Sequence, residues 1–274
     1  MTDLICRMAE TQFGIKADPD DAKRLEEYIR NNGSDYASTD YTGTDSASFI
    51  EASFSSGAAA KFLTVNETYF FREPVHFSLL MELLPSFENS MIRICSAATA
   101  SGCEAYSIAM LIEAYNKGAE KPIKYHIDAF DINAQAIEAA KEGIYNARTL
   151  RDDGSCFRYM MTPYLKESDG KYRISDTLKK NINFFVHNLM DELNTEKYDI
   201  IFFRNAFIYF FPHKRERVLS NLSLVLKKDG VLILGVSETA GVQHVNLEQK
   251  YRRLRSLGFL SSFDDVFYFI KERL

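Results

Sequence analysis

Cysteine and histidine are scarce in this chain, and none of them is spaced as part of a ligand set. Four cysteines and five histidines occur among 274 residues. The cysteines are far apart and form no C-x-x-C pair, and the histidines occur singly. We therefore expect no metal site, and we expect the cysteines to stay reduced, as they do in the cytoplasm.

Long apolar runs and an excess of positive charge are missing as well. No stretch approaches the roughly 18 consecutive apolar residues of a transmembrane helix, so we expect a cytoplasmic protein without membrane insertion. The net charge is −5 and the pI is about 5.6, which argues against binding nucleic acid. Hydrophobic residues make up 46% of the chain, enough for the core of an α/β domain and a smaller accessory domain.

Residues 1–62 are expected to form a small helical domain that differs from the rest of the chain. Helices are predicted at Asp20–Asn32 and at Ser48–Ala60, with a loop-like composition rich in Ser, Thr, Asp and Gly at 34–48 between them. Residues 1–60 contain 11 acidic and 5 basic side chains. The N-terminal domain is therefore acidic.

From Met91 onward, apolar runs of strand length alternate with helical patterns. This alternation predicts an α/β fold with a mostly parallel sheet that is buried on both faces. Strands are predicted at Ile92–Ser96, Tyr125–Asp131, Asn183–His187, Asp199–Arg204 and Val231–Val236. Helices are predicted at Glu104–Tyr115, Ala134–Glu142 and His213–Leu226. The last predicted element is a terminal antiparallel hairpin, with strands at 258–263 and Val266–Ile270 around a turn at 264–265.

Residues 150–182 are predicted to form a small inserted β-subdomain. Arg158–Met161 and Lys171–Ile174 are its expected strands, and they flank a turn at 168–170 with the sequence Ser-Asp-Gly. We expect this element to be antiparallel and to lie outside the main sheet.

Small and polar residues follow four of the predicted parallel strands. In a doubly wound sheet the ligand binds beyond the carboxyl ends of the strands, so we expect these residues to line one crevice. They are Ser96 to Glu104, Asp131 to Asn133, His187 to Leu189, and Arg204 with Asn205. The first of these loops consists of tiny residues before a helix, which allows a ligand to approach bare backbone at the helix N-terminus.

The glycine content of that first loop bears on the kind of ligand. A pyrophosphate-binding loop needs G-x-G-x-x-G, whereas this loop has a single glycine, Gly102, which disfavours a nicotinamide-dependent dehydrogenase. A cofactor without phosphates, such as S-adenosylmethionine, fits better. Asp131 is then a candidate ribose ligand, because a carboxylate accepts hydrogen bonds from two hydroxyls at once. Alternatively, Asp131 or Asn133 caps the following helix.

Two further segments carry side chains that suit a reaction centre. Arg72 follows two phenylalanines and is able to pair with a carboxylate, or it is a surface arginine beside an aromatic contact between domains. Asn205 and Tyr209 come directly after a buried strand. Asn205 is able to bind a polar group of a nucleoside, and Tyr209 either directs its hydroxyl at the reacting centre or belongs to the aromatic core.

Six segments, taken in order, resemble the CheR-type chemotaxis receptor methyltransferases. They are Asn66–Glu73, Ser96–Ala109, Asp131–Asn133, Asn188–Leu189, Phe203–Phe210 and Lys227–Glu238. Enzymes of this family methyl-esterify receptor glutamates with S-adenosylmethionine and release S-adenosylhomocysteine. The resemblance covers Leu63–Glu238 and implies a class I methyltransferase, Rossmann-like fold. It implies an N-terminal helical domain at 1–62, a linker at 63–78 that contributes to the active site, and a methyltransferase domain at 79–274.

The resemblance also implies roles for individual residues. Arg72 and Tyr209 would be catalytic and face the methyl transfer. Glu104 would lie near the cofactor amino group, Asp131 on the ribose, and Asn188–Leu189 beside the adenine. The full set of implied cofactor-binding residues is Asn66, Thr68, Arg72, Ala97, Gly102, Glu104, Asp131, Asn188, Leu189 and Asn205.

The implied partners are methyl-accepting chemotaxis receptors, and in some members the β-subdomain docks a receptor tail by strand addition. The sequence departs from the family pattern in two places. Cys103 and Ala105 replace a commoner glutamate and proline, although Glu104 is kept. In the family a basic N-terminal helix contacts acidic receptor helices, whereas here the N-terminal domain is acidic. A cofactor-binding regulatory protein, or a methyltransferase with another acceptor, is therefore the alternative.

Overall fold

A mostly parallel sheet lies at the centre of the structure, which is a computed structural model. It describes residues 1–32, 46–151, 157–240, 242–244, 246–255 and 263–271. In chain order the strands are β1 (Met91–Ala97), β2 (Lys124–Asp131), β3 (Ile144–Asn146), β4 (Leu165–Ser168), β5 (Lys171–Ile174), β6 (Ile182–Val186), β7 (Tyr198–Phe203), β8 (Leu226–Leu234), β9 (Leu247–Arg255) and β10 (Phe263–Lys271). The main sheet has the order β6-β2-β1-β7-β8-β10-β9, and β3, β5 and β4 form a separate sheet.

The helices fall into an N-terminal group and a group that connects the strands. In chain order they are α1 (Thr2–Met8), α2 (Pro19–Asn32), α3 (Ser46–Ser55), α4 (Ala60–Leu63), α5 (Pro74–Leu83), α6 (Cys103–Gly118), α7 (Ala134–Glu142), α8 (Arg158–Met161), α9 (Asp176–Lys179) and α10 (Pro212–Val225). Helices α6 and α10 connect neighbouring parallel strands, as parallel pairing requires. Within the described ranges, no helix is both long and apolar enough to span a bilayer.

Successive residues of the central strands point into two different hydrophobic cores. In β7, Ile200 and Phe202 pack in a core shared with α6, and Ile201 and Phe203 pack in a core shared with α10 and the N-terminal helices. Side chains alternate along a strand, so a strand covered on both faces is a continuous apolar run. The N-terminal helices thus share a core with the sheet, and the division at residue 62 stays a prediction.

The five predicted parallel strands and the three predicted crossover helices are confirmed, with shifted ends. The largest shift is at β8, which begins at Leu226 rather than Val231. The helix predicted at Asp20–Asn32 is also confirmed as α2. The second predicted N-terminal helix is instead two helices, α3 and α4, separated by a turn at Gly57. The loop predicted at 34–48 lies largely outside the described residues.

The inserted subdomain was predicted with the wrong first strand. Arg158–Met161 is a helix, and β4 pairs with β5 instead. The apolar residues of 158–161 suggested a strand, but Met160 and Met161 are buried as part of a helix. The true strand, β4, is largely exposed and polar and so has no apolar pattern. The predicted turn is confirmed: Asp169 and Gly170 both have positive φ, as a two-residue hairpin turn requires.

The terminal hairpin was also predicted with the wrong boundaries. Its first strand is β9, and Asp264 and Asp265 lie inside β10 instead of forming the turn. Asp265 accepts a hydrogen bond from the Tyr251 hydroxyl at 2.7 Å across the strands, so an acidic residue that was predicted in the turn makes a cross-strand contact instead. Residues 258–262 of the predicted first strand lie outside the described residues.

Gly102 makes the turn between β1 and α6 possible. Its φ is +84°, and a Cβ built on it would lie 2.8 Å from the Ala140 Cβ and 3.0 Å from the Phe184 ring. Left-handed backbone and close packing both favour glycine here. The loop after β1 is therefore held against the last turn of α7 and the sheet.

We expect Gly102→Ala to lower the free energy of unfolding by at least about 2 kcal/mol, because the new methyl group meets packed atoms in a left-handed conformation. Urea denaturation measures the change. The matched control is Gly118→Ala, which has no atom near its added Cβ and should be neutral or slightly stabilising. A loss below about 0.5 kcal/mol for Gly102→Ala, the range of surface substitutions, would contradict this account.

Candidate active site

The carboxyl ends of the parallel strands open onto one crevice. It encloses about 980 Å³, including the part that opens to solvent, which suits a small organic ligand or cofactor. The loops after β1, β2, β6 and β7 all contribute to its lining. These are the four loops that the sequence predicted to meet, since the carboxyl ends of parallel strands lie at one edge of the sheet.

Most of the predicted site residues line this crevice. They are Asn66, Thr68, Arg72, Glu104, Asp131, Asn188, Leu189, Asn205 and Tyr209. Ala97 and Gly102 are outside the lining. Ala97 is buried at the end of β1, and Gly102 is covered by Ala140 and Phe184. These two residues shape the loop, whose part facing the crevice is Ala98–Ala100.

Backbone in the left-handed region is concentrated around the crevice. Five residues other than glycine have positive φ values between 49° and 57° and lie in or beside its lining: Phe71, Glu73, Ala98, Ala100 and Asn205. Such conformations cost roughly 1–3 kcal/mol each and persist only where the surroundings enforce them. The crevice is therefore a rigid, enforced arrangement of loops.

Asp131 enforces part of that arrangement. Its Oδ2 accepts the Ala100 N–H at 2.8 Å and its Oδ1 accepts the Asn133 N–H at 2.9 Å. Burial raises its pKa, and these backbone hydrogen bonds oppose the rise. Asn133 caps α7, because its side-chain oxygen accepts the N–H groups of Gln135 and Ala136. Of the two residues considered as the helix cap, Asn133 is therefore the one that fills this role. A carboxylate has about four lone-pair sites, so Asp131 keeps acceptor capacity for a ligand in the crevice.

Glu104 is held by a buried arginine. Its Oε2 accepts a hydrogen bond from Arg204 Nε at 2.7 Å, and its Oε1 accepts one from the Ser96 hydroxyl at 2.7 Å. The Arg204 side chain is only 2% exposed and also donates to the Arg72 carbonyl oxygen at 2.7 Å. The sequence placed Arg204 at the crevice without a role, and its role is visible only from these contacts.

A second carboxylate, that of Glu73, faces the same arginine. Glu73 Oε2 lies 3.6 Å from Arg204 Nη1 and 3.3 Å from His76 Nδ1, and Glu73 Oε1 accepts from Asn205 Nδ2 at 2.8 Å. Burial opposes ionisation of Glu73, but its contacts with His76, Arg204 and Asn205 outweigh burial and lower its pKa to about 2. Burial lowers the pKa of His76, so that ring is neutral at pH 7.

The two predicted catalytic residues both reach the crevice. Arg72 Nη1 donates to the Glu67 carbonyl oxygen at 2.9 Å, and its guanidinium carbon lies 5.6 Å from the centre of the Tyr69 ring. Tyr209 packs its half-buried ring against the core while lining the crevice. Its hydroxyl makes no hydrogen bond within the described part of the chain, which leaves it available to a ligand.

The N-terminal segment contributes a wall that the sequence did not reveal. Phe13 and Ile15 line the crevice, and Ile15 forms a β-bridge with Phe210. The Asn188 side chain donates to the Gln12 carbonyl oxygen at 2.7 Å. No local sequence pattern marks these contacts, because they join segments far apart in the chain.

The lining matches a nucleoside joined to an amino acid. The carboxylates of Glu104 and Asp131 are part of the lining, where they can accept hydrogen bonds from an amino group and from hydroxyls. Apolar side chains of Phe13, Ile15 and Leu189 offer a surface for a flat ring. Among the described residues, no group of three or more His, Cys, Asp or Glu is arranged to hold a metal ion.

Known proteins that are similar to this chain point to one family. The family model described as CheR methyltransferase, SAM binding domain, matches residues 66–254. A chemotaxis protein methyltransferase of Borreliella burgdorferi is 38% identical over 188 residues, which cover 65% of this chain and 65% of that protein. One of Vibrio parahaemolyticus is 37% identical over 187 residues, which cover 66% of this chain and 68% of that protein. The matched part is thus about two thirds of each relative's length.

Two other similarities are weaker. The probable biofilm formation methyltransferase WspC of Pseudomonas aeruginosa is 28% identical over 251 residues, which cover 88% of this chain and 57% of WspC. The crystal structure of the N-methyltransferase NodS from Bradyrhizobium japonicum aligns over 76% of this chain and 90% of NodS, with 11% identity and a TM-score of 0.41.

We expect Glu73→Gln to destabilise the protein at pH 7 by about 1–3 kcal/mol, because it removes a charge that compensates a buried arginine. The ionised Glu73 contributes stability above its ordinary pKa of 4.5, and this contribution is lost as the pH falls towards 2. The difference between wild type and variant in urea denaturation should therefore shrink between pH 5 and pH 3. A difference that stays constant over this range would contradict the assignment.

Proposed function

The chain belongs to the CheR methyltransferase family, and from this membership we propose that it transfers a methyl group from S-adenosylmethionine to glutamate side chains of chemotaxis receptors. The matched segment, 66–254, contains all nine predicted residues that line the crevice. The observation that carries the proposal is this crevice, whose lining combines the carboxylates of Glu104 and Asp131 with apolar side chains. We place the reaction in the cytoplasm, on the receptors' helical region.

The proposed reaction is a direct displacement. S-adenosylmethionine supplies a methyl group bonded to a positively charged sulfur. An oxygen of the receptor glutamate supplies the electron pair for a new bond to the methyl carbon. The carbon–sulfur bond breaks at the same time, and the electron pair of that bond stays on sulfur. The products are a methyl ester and S-adenosylhomocysteine. A glutamate of pKa about 4.3 is already ionised at pH 7, so no general base is needed.

The chain's contribution is therefore to align the reactants and exclude water. We propose that Glu104 accepts hydrogen bonds from the cofactor amino group and that Asp131 accepts them from the ribose. Asn188 and Leu189 would lie beside the adenine. The pairing of Glu104 with Arg204 supports its role, because the carboxylate is fixed in place before a ligand arrives.

Arg72 and Tyr209 are the proposed catalytic residues. A guanidinium binds a carboxylate with charge-assisted hydrogen bonds, so Arg72 would hold the acceptor glutamate. Tyr209 would orient the acceptor or the cofactor with its hydroxyl. The rim position of Arg72 and the available hydroxyl of Tyr209 support these roles.

Receptor recognition is the part of the proposal in which this chain departs from its family. The acidic N-terminal domain does not offer the basic helix expected there, and it contributes Phe13 and Ile15 to the crevice instead. The β-subdomain offers another contact, since β4 is at the edge of its sheet and largely exposed. An exposed edge strand is able to pair with an extended receptor tail.

We expect Asp131→Asn to raise the dissociation constant for S-adenosylmethionine at least about tenfold, since an amide replaces one acceptor oxygen with a donor. Isothermal titration calorimetry measures this, with NAD as a second ligand that should not bind. The matched control is Asp176→Asn, which removes a charge from a side chain that is 92% exposed. Equal affinity in wild type and Asp131→Asn, or tight binding of NAD, would contradict the cofactor assignment.

We expect Arg72→Ala to reduce methyl transfer by roughly 100-fold or more, because the acceptor carboxylate loses its anchor. Labelled S-adenosylmethionine and membranes that contain chemoreceptors give the rate, and release of label by base marks methyl esters. Cofactor binding should persist at least in part. Arg217→Ala, which removes an exposed positive charge on α10, should transfer normally. Wild-type rates from Arg72→Ala would refute its role, and cofactor binding without transfer by wild type would favour a regulatory protein.

A further inference from the structure

Glu238 is a buried carboxylate that has no role in the reaction as proposed above. It ends the short 3-10 turn Val236–Glu238 that follows β8, and it is only 4% exposed. Its Oε2 accepts the Asn205 N–H at 2.7 Å and the Gly235 N–H at 2.9 Å. Its Oε1 accepts the Ile208 N–H at 3.1 Å. Three backbone donors from two separate loops thus meet on one side chain.

Two of these donors belong to the loop that carries the proposed catalytic tyrosine. Asn205 begins this loop in a left-handed conformation, with φ +56°, and Ile208 directly precedes Tyr209. The Asn205 side chain has a second anchor, since its Nδ2 donates to Glu73. The Ile208 N–H has Glu238 as its acceptor. Glu238 therefore fixes the Tyr209 end of the loop, while Glu73 and Glu238 together fix the Asn205 end.

The packing around Glu238 leaves the carboxylate little freedom. A Cβ built on Gly235 would lie 2.6 Å from Glu238 Oε2 and 3.1 Å from the Asn205 nitrogen. Gly235 has no positive φ, so the need for glycine is steric. The absent side chain is what allows the Glu238 oxygen to reach two N–H groups at once.

We propose that Glu238 is a positioning residue for methyl transfer: it holds the 205–209 loop so that the Tyr209 hydroxyl is directed at the reacting atoms. This inference rests on the proposed function for its kinetic consequence, but the geometry of the loop is independent of it. Glu238 is not part of the crevice lining and acts through Ile208 and Tyr209.

Burial opposes the charge of Glu238. Burial raises the pKa of Glu238, although its three backbone hydrogen bonds oppose that rise. A group whose folded pKa is raised stabilises the fold less as it ionises, so a neutral glutamine at this position avoids the cost of burying a charge. The two oxygens of the ionised side chain provide acceptors for all three backbone N–H groups.

The first test is Glu238→Gln. Glutamine has one acceptor oxygen, and if that oxygen keeps Asn205 and Gly235, its amide group turns a donor towards the Ile208 N–H. We expect kcat for methyl transfer to fall at least about tenfold, with the dissociation constant of S-adenosylmethionine changed by less than about threefold. Ser237→Ala, at an exposed position on the same turn, is the matched control and should leave both quantities unchanged.

A double-mutant cycle separates positioning from a general structural effect. If Glu238 acts through Tyr209, then in a Tyr209→Phe background Glu238→Gln should lower kcat by less than about threefold. The reason is that the hydroxyl that Glu238 positions is already gone. Equal losses in both backgrounds would overturn the proposal. If Glu238→Gln does not fold, Gly235→Ala crowds the same carboxylate from the other side and is subjected to the same cycle.

A spectroscopic readout keeps this inference distinct from the proposed reaction. In protein labelled with ¹³C-tyrosine, the Tyr209 ring signal is assigned by its loss in Tyr209→Phe. We expect that signal to shift or broaden in Glu238→Gln and to stay unchanged in Ser237→Ala. An unchanged signal in Glu238→Gln would overturn the positioning role, whether or not the wild type transfers methyl groups. Absence of transfer by wild type, with the signal shifted as expected, would count against the proposed function alone.

Discussion

Two carboxylates share one buried guanidinium beside the crevice, and the loops around it depend on this interaction. Arg204 follows β7, Glu104 lies at the start of α6, and Glu73 comes from the segment before the sheet. A single cation thus joins three distant parts of the chain. Removing it would leave two carboxylates without their charge partner in a largely buried place, at a cost of about 3–5 kcal/mol. The same pairing presents Glu104 to the crevice in one fixed orientation.

Two further buried acids hold backbone that is unfavourable by itself. Asp131 accepts the N–H of Ala100, and Glu238 accepts the N–H of Asn205; both donors have left-handed backbone. Burial raises the pKa of each acid, and the backbone hydrogen bonds oppose this rise. The crevice is therefore preorganised: its loops are fixed by internal acceptors before any ligand binds, which is the condition under which alignment contributes most to rate.

The sequence predicted the sheet and most of the crevice because these features follow from local patterns. Continuous apolar strands with polar ends, such as β2 ending at Asp131, reveal both the parallel sheet and its ligand edge. The helix at Arg158–Met161 was mistaken for a strand because a single turn is too short to show periodicity. Contacts between distant segments left no local pattern at all. Phe13 in the crevice wall belongs to this class. Glu238 lies in a segment that carries the family resemblance, but only the folded chain reveals its contacts with the Tyr209 loop.

The account depends on one claim, that the crevice organised by Arg204 binds an adenosyl amino acid. A crystal structure with S-adenosylhomocysteine tests it most directly. We expect the ribose hydroxyls within hydrogen-bond distance of the Asp131 carboxylate, the amino group beside Glu104, and the Glu104–Arg204 pair intact. A ligand bound elsewhere, or an Arg204 side chain separated from Glu104 in the complex, would contradict the account.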